Sequence, residues 1–315
     1  MHFMNSLKKI NGLFITFLLL VIFLGAEQSA KAANPPAVQE YYVPIVEADL
    51  LDGMQSLFPS AEICQIDAPA VIDPIVTTVA IAATAENTLV YYDHWEDGFE
   101  VDIANPTQST TQVWGDSNET NGKPPGQISD VITAGTVIKL QQDVFTNTPE
   151  VIGFDGGDRF GSSRAIAVSR AGWSIGPGTS FAGATELLNV GSWGESYQIP
   201  VGPSSDTEQT FEHVSLHIMS AQDGTAIQLD RNGDGTVDFE TILNQGESHH
   251  EDGGLIAGAV LEASAPVQVQ MVTGDICTAY ESRWYTLLPV AQLGDSYYSP
   301  VSTDASSAPG IFVYN

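Results

Sequence analysis

The sequence predicts an all-β chain of two tandem duplicated antiparallel β-sandwich-like modules behind a short N-terminal lead-in. Three observations carry that expectation. Short runs rich in Val, Ile, Thr and Tyr at 86–92, 136–140, 164–169, 214–219, 225–229 and 266–272 are separated by Gly, Pro, Asn and Asp clusters, the pattern of strands joined by turns. The run 267–272 alternates, placing Val267, Val269 and Met271 on one face and Gln268, Gln270 and Val272 on the other. Finally, one plan is written twice. TLVYYD-HWEDG at 88 is matched by TAIQLD-RNGDG at 225, AGTVIKL at 134 by AGAVLEA at 257, SRAGW at 169 by SRW at 282, and WGESYQIPV at 193 by LGDSYYSPV at 293. The offset falls through 137, 123, 113 and 100, as expected if the first copy carries more loop insertion.

In chain order, residues 1–33 read as an export signal. Lys8 and Lys9 precede a 13-residue apolar run, Leu13 to Gly25, and small residues end in Ala30-Lys31-Ala32, so cleavage is expected after Ala32 or Ala33. The run is too short to span a bilayer comfortably, and no transmembrane span is expected in the mature chain. Residues 34–82 are a lead-in whose stretch ADLLDGMQSLF predicts one helix, with Leu51, Met54 and Leu57 or Phe58 along one stripe. Residues 83–204 form the first module. Its insertion at 106–126 is rich in turn formers and predicts an exposed loop or hairpin, carrying the sequon Asn118-Glu119-Thr120. Residues 205–305 form the second module, and 306–315, ending GIFVYN, the start of a further strand or module in a truncated product.

Charge narrows the partners. The chain has 10 Lys and Arg against 39 Asp and Glu, a formal net charge of −29, and beyond Ala33 the balance is seven against 38. Nucleic acid and anionic lipid are excluded, because binding to either rests on neutralisation by Lys and Arg. Such charge favours divalent cations and solubility. Cys64 and Cys277 are the only thiols, and export permits oxidation. A disulfide and two separately buried thiols both fit the sequence.

The loop 230–238, DRNGDGTVD, is the best candidate binding site. Side-chain oxygens of Asp230, Asn232, Asp234 and Asp238 fall at loop positions 1, 3, 5 and 9, with Gly235 at 6 and the Thr236 carbonyl at 7, a spacing that curls ligands round a structural Ca2+. The alternative is an ordinary hairpin turn without metal. The matching loop 93–98, DHWEDG, has Trp95 where the second oxygen belongs, so a complete calcium site is not expected there. His94 and Trp95 beside Asp93, Glu96 and Asp97 suggest a second reading, a polysaccharide-binding or glycoside-hydrolysing cleft, which requires carboxylates about 5 to 9 Å apart across a groove. Arg159, Arg164, Arg170 and Arg283 are expected in ion pairs, with Arg170 and Arg283 at equivalent repeat positions. His213 and His217 share a strand face, while His249 and His250 point to opposite faces; no metal triad, nucleophile elbow, P-loop or dinucleotide fingerprint is read. No catalytic residue is assigned, and the chain is not expected to be an enzyme.

YYDHWEDGFE, FDGGDRFGSSRAIAVSRAGW, WGESYQIPVG and QVQMVTGDICTAYESRWYTLLPV leading to LGDSYYSPV carry a resemblance over about residues 40–315. The chain resembles a group of large secreted bacterial and fungal surface proteins and is distantly similar to the IgGFc-binding-protein N-terminal domain family. The resemblance implies a secreted or cell-surface, repeat-built β protein associated with adhesion or a surface layer; it implies no catalytic residue, and no residue here implies immunoglobulin binding. The resulting expectation is a non-enzymatic surface or matrix protein, the N-terminal part of an adhesin-like chain with a calcium-stabilised hairpin, whose partner is an extracellular glycan or matrix protein.

Overall fold

In the computed structural model, residues 34–59, 61–64, 75–144, 152–175, 182–203, 211–277 and 282–297 are described. The expected export signal at 1–33 and the expected new strand at 306–315 lie outside them. Among the described residues the regular structure is mostly antiparallel strand: β1 (Gln39–Tyr42), β2 (Ile75–Ala83), β3 (Val90–Asp93), β4 (Gln112–Trp114), β5 (Val137–Val144), β6 (Arg159–Ser162), β7 (Ile166–Ser174), β8 (Ala182–Glu186), β9 (Gly194–Gln198), β10 (His213–Ser220), β11 (Thr225–Asp230), β12 (Phe239–Leu243), β13 (Ser248–Asp252), β14 (Val260–Gly274) and β15 (Arg283–Thr286). Each predicted strand run lies within or overlaps one of these. Helix α1 (Glu47–Leu57) forms where the apolar spacing predicts it, burying Leu50, Leu51, Met54 and Leu57; a short α2 (Ala61–Cys64) follows.

The first half of the chain makes two sheets, ordered β1-β6-β3-β4 and β5-β2-β7-β8. In the second half the same two orders appear within one sheet, because the 15-residue β14 serves both: its start pairs with β9 and β11, its end with β10 and β15. The halves agree residue by residue. Asp93 opposes Arg159 as Asp230 opposes Val260. Ala82 opposes Val137 and Ala167 as Met219 opposes Ser248 and Gln268. Tyr41 opposes Phe160 as Tyr197 opposes Leu261. The Gly194 amide donates to the Tyr197 hydroxyl at 3.1 Å on β9, and the Gly294 amide to the Tyr297 hydroxyl at 2.8 Å past β15.

This register corrects two of the four sequence blocks. AGTVIKL corresponds to the chain entering β13, not to AGAVLEA, which lies where β6 begins. SRAGW on β7 corresponds to Gln270–Gly274 of β14, whereas SRW enters β15. Arg170 therefore matches Met271, and its equivalence with Arg283 does not hold. The similarity of short strings misled because a two-residue period lets many strands of like composition be superposed.

Each half encloses its own core, Tyr92, Trp114, Phe160 and Val168 among others in the first, Leu216, Ile227, Leu261, Val267, Val269 and Met271 in the second. The alternation of β14 is realised, with an addition. Val267, Val269 and Met271 fill the second core, while the opposite face is buried too: the Gln268 amide donates to the Tyr42 carbonyl at 3.0 Å, Gln270 accepts from Thr185 at 3.1 Å, and Val272 packs with α1 and Trp284. From Pro36 onward the described residues form one compact unit. Trp284 seats against Gly183 and Gly172, where an added Cβ would lie 2.2 and 2.7 Å from the indole. Cys64 and Cys277 are bridged, with Cα atoms 5.0 Å apart and a sequence separation of 213, tying the helical segment to the chain just beyond β14.

Candidate functional site

The two acidic loops follow corresponding strands, β3 and β11, and use their matching Asp residues differently. After β11, Asp230 accepts the amides of Asn232 at 3.2 Å and Gly233 at 2.8 Å on one oxygen and that of Gly235 at 2.7 Å on the other. Asn232 Oδ1 accepts the Asp234 amide at 2.9 Å, and Asp234 accepts the Thr236 amide at 2.8 Å. Asp238 accepts the Arg231 amide at 2.8 Å. Gly233 and Gly235 take positive φ, 69° and 88°, which lets the chain wind back round Asp230. The fold thus brings Asp230, Asn232, Asp234, Thr236 and Asp238 into one tight hairpin. Hydrogen bonds from Thr236 and Asn232 hold the Asp234 carboxyl below its ordinary range. The network closes the turn with protein donors alone; its oxygen-rich composition is what an alkaline-earth cation would use.

After β3, Asp93 is wholly buried and committed elsewhere: it accepts from the Glu100 amide at 2.9 Å, the Thr111 hydroxyl at 3.0 Å and the Arg159 guanidinium at 2.8 Å. The next residues turn inward to meet the segment before β6. Asp158, fully buried, accepts the Tyr92 hydroxyl at 2.7 Å and the amides of Trp95 and Asp155, both at 3.2 Å. His94 Nδ1 stands 3.4 Å from the same carboxylate. Glu96 accepts the Gly153 amide at 3.1 Å on one oxygen. One donor atom from each of His94, Glu96 and Asp158 lies within 4.8 Å of the others. Trp95, 38% exposed, covers Gly157 and donates its indole N–H to Asp155 at 2.9 Å.

Crowding of acids shows in their affinities for protons. Burial, then the charges of Glu47, Asp158 and Glu96, pushes the Asp155 carboxyl up to about 8. Burial likewise raises Glu96 and Asp158. For His94 burial favours the neutral ring, but the Asp158 carboxylate outweighs it and the pKa rises.

These contacts alter several sequence readings. A His–Glu–Asp triad exists among the described residues, although none was read from the chain; the 60-odd residues between 94–96 and 158 hid it, and the only signal was that both blocks are dense in Asp and Gly. One oxygen of Glu96 lies within 4.8 Å of one of Asp158, and Asp93 is paired with Arg159. Arg170 pairs with Glu47 at 2.6 Å and Arg283 with Asp275 at 3.8 Å. On β13, His249 stacks on Phe239 at 4.4 Å and His250 on His217 at 4.5 Å, opposite faces as expected.

With the geometry set out, comparison with known proteins gives one match. Residues 174–309 fit the family model described as IgGFc binding protein. The chain is similar to that family there. The matched stretch begins at the end of β7 and takes in β8 and all seven strands from β9 to β15, so it covers the second half and leaves the His94 cluster outside. No curated protein and no solved structure matches.

Proposed function

We propose that this is an exported, non-enzymatic surface or matrix protein, the N-terminal part of an adhesin-like chain, in which a tandem β-sandwich presents a partner-binding surface and Ca2+ stiffens the second hairpin. The single observation that carries the reading is the match of the second half to a family named for protein binding, on a scaffold whose other half has the same pairing. Support comes also from the disulfide, which suits an oxidising compartment, and from the absence, among the described residues, of a helix long and apolar enough to cross a membrane. The repeating unit in this reading runs from β1 to the turn before β9 and again from β9 to the turn at Val290–Gln292, so the duplication begins earlier than residue 83.

Probing arrays of extracellular glycans and matrix proteins with the purified mature chain tests the proposal. Saturable binding, lost when the protein is thermally unfolded, is expected; sugar release from a polysaccharide without retention on any array element would contradict it. Amino-terminal sequencing of the exported product should begin at Ala33 or Asn34.

A further inference from the structure

The His94 cluster is distinct from the calcium hairpin and lies outside the family match. We propose that His94, Glu96 and Asp158 bind one first-row divalent transition-metal ion, with Zn2+ the best fit. His94 and Glu96 have unmet valences. His94 is only 3% exposed, yet its Nδ1 has no hydrogen-bond partner; the 3.4 Å approach to Asp158 lacks hydrogen-bond geometry and leaves the nitrogen aimed at the carboxylates. Glu96 Oε2 is also buried with no partner. Between them the three side chains present lone pairs to one another, an arrangement that a bound cation relieves at all three at once. A proton between His94 and Asp158 would satisfy the ring and leave Glu96 orphaned.

The spacing also fits a bound ion. A four-coordinate ion with ligands near 2.1 Å holds its donors about 3.4 Å apart, the separation of His94 Nδ1 from Asp158 here, and three protein ligands leave the fourth position for water. The ligands are already oriented: Glu96 by the Gly153 amide on its other oxygen, Asp158 by the Trp95 amide on Oδ1 and by Tyr92 and the Asp155 amide on the Oδ2 that faces His94. Such outer contacts orient metal ligands. The other half of the chain is an internal control. At the corresponding places it carries Arg231, Gly233 and Ala259, and it closes the same strand ends with a hairpin whose side-chain oxygens accept backbone amides, so the fold itself does not demand a histidine facing two carboxylates. The mixed nitrogen and oxygen donor set selects Zn2+ or Mn2+ over Ca2+, which takes oxygens alone.

Chelator-treated full-length mature protein should be titrated with Zn2+, Mn2+ and Ca2+ by calorimetry, with bound metal counted by mass spectrometry and Co2+ used as a spectroscopic probe. One Zn2+ per chain and visible absorption of four-coordinate Co2+ are expected. His94→Gln and Glu96→Gln should each weaken Zn2+ binding by at least about 100-fold, since even outer-shell losses cost 10- to 100-fold. Asp234→Ala, in the other loop, should not change it. No uptake by the wild type, a preference for Ca2+ over Zn2+, or affinity unchanged in Glu96→Gln would each overturn the proposal. The half-buried Glu96 keeps the test decisive should His94→Gln fail to fold.

Discussion

Asp158 and Ala259 hold the same place in the two halves: the Val43 amide donates to the Asp158 carbonyl at 2.8 Å, and the Ile199 amide to the Ala259 carbonyl at 2.9 Å. One scaffold position thus carries a buried carboxylate in one copy and a methyl in the other. Asp158→Ala would strand the Tyr92 hydroxyl and the Trp95 and Asp155 amides, at about 1 to 3 kcal/mol for each buried group left unpaired. We expect a loss of about 3 to 5 kcal/mol in urea unfolding without added metal. A loss under about 1 kcal/mol would show that the donors find other partners.

Arg170 and Glu47 make the second test. The guanidinium is fully buried, contacts Glu47 at 2.6 Å and the Ile45 carbonyl at 2.9 Å, and stands where the other half has Met271. Removing one partner of a buried pair leaves an uncompensated charge and costs about 3 to 5 kcal/mol, while removing both costs far less. Arg170→Met should therefore destabilise strongly, and Arg170→Met with Glu47→Gln should recover more than half of that loss. Equal losses in the single and double variants would refute the pairing.

How much of this was legible in the sequence follows from what each signal measures. Alternation and turn residues report one strand at a time, so the strands, α1 and the face of Val267, Val269 and Met271 could be read. Pairing is non-local, and nothing in AGTVIKL says that it enters β5 opposite β2. For the same reason the 230–238 hairpin, whose candidate ligands lie within nine residues, was visible, whereas His94 and Asp158 met only on folding. Arg159 was expected to pair, but its choice of Asp93, which removes that carboxylate from any site, depends on β3 and β6 being neighbours.

The disulfide should matter in proportion to the loop it closes. A cross-link over 213 residues restricts the unfolded chain by about 5 kcal/mol in the entropic account. Cys64→Ser with Cys277→Ser should lower the unfolding free energy by up to that amount and release α2 from the chain just beyond β14. A non-reduced digest of the native protein should yield the joined peptides; two freely alkylatable thiols would contradict the bridge.

Acid should weaken the second half through His217. Its ring is buried, with neither nitrogen hydrogen-bonded, stacked on His250 and within the field of Arg170; burial first, then its neighbours His250 and Arg170, hold its pKa well below 6.5. His213, beside Asp252, is lowered less, again by burial. In the unfolded chain each titrates near about 6.5. The unfolded state thus binds more protons below that pH, and the stability present above it is lost as pH falls. Asp49 on α1, near His249 and His250, is raised by burial and acts in the opposite sense. The readout is therefore the difference between proteins: His217→Leu should flatten the fall in melting temperature between about pH 7 and 5. An unchanged slope would exclude His217 as its source.

The 230–238 hairpin is where Ca2+ would act. Calorimetric titration with Ca2+, paired with thermal melts with and without chelator, should show binding at about 0.1 to 1 mM and a melting temperature that rises across that range by mass action. Asp230→Ala and Asp234→Ala should abolish both effects. Asp97→Ala is the control, because Asp97 is exposed and held by Thr110, whereas the buried Asp93 cannot be changed without releasing Arg159. Absence of binding heat at millimolar Ca2+ with an unchanged melt would mean that the hairpin is closed by its own hydrogen bonds alone, and would contradict the account.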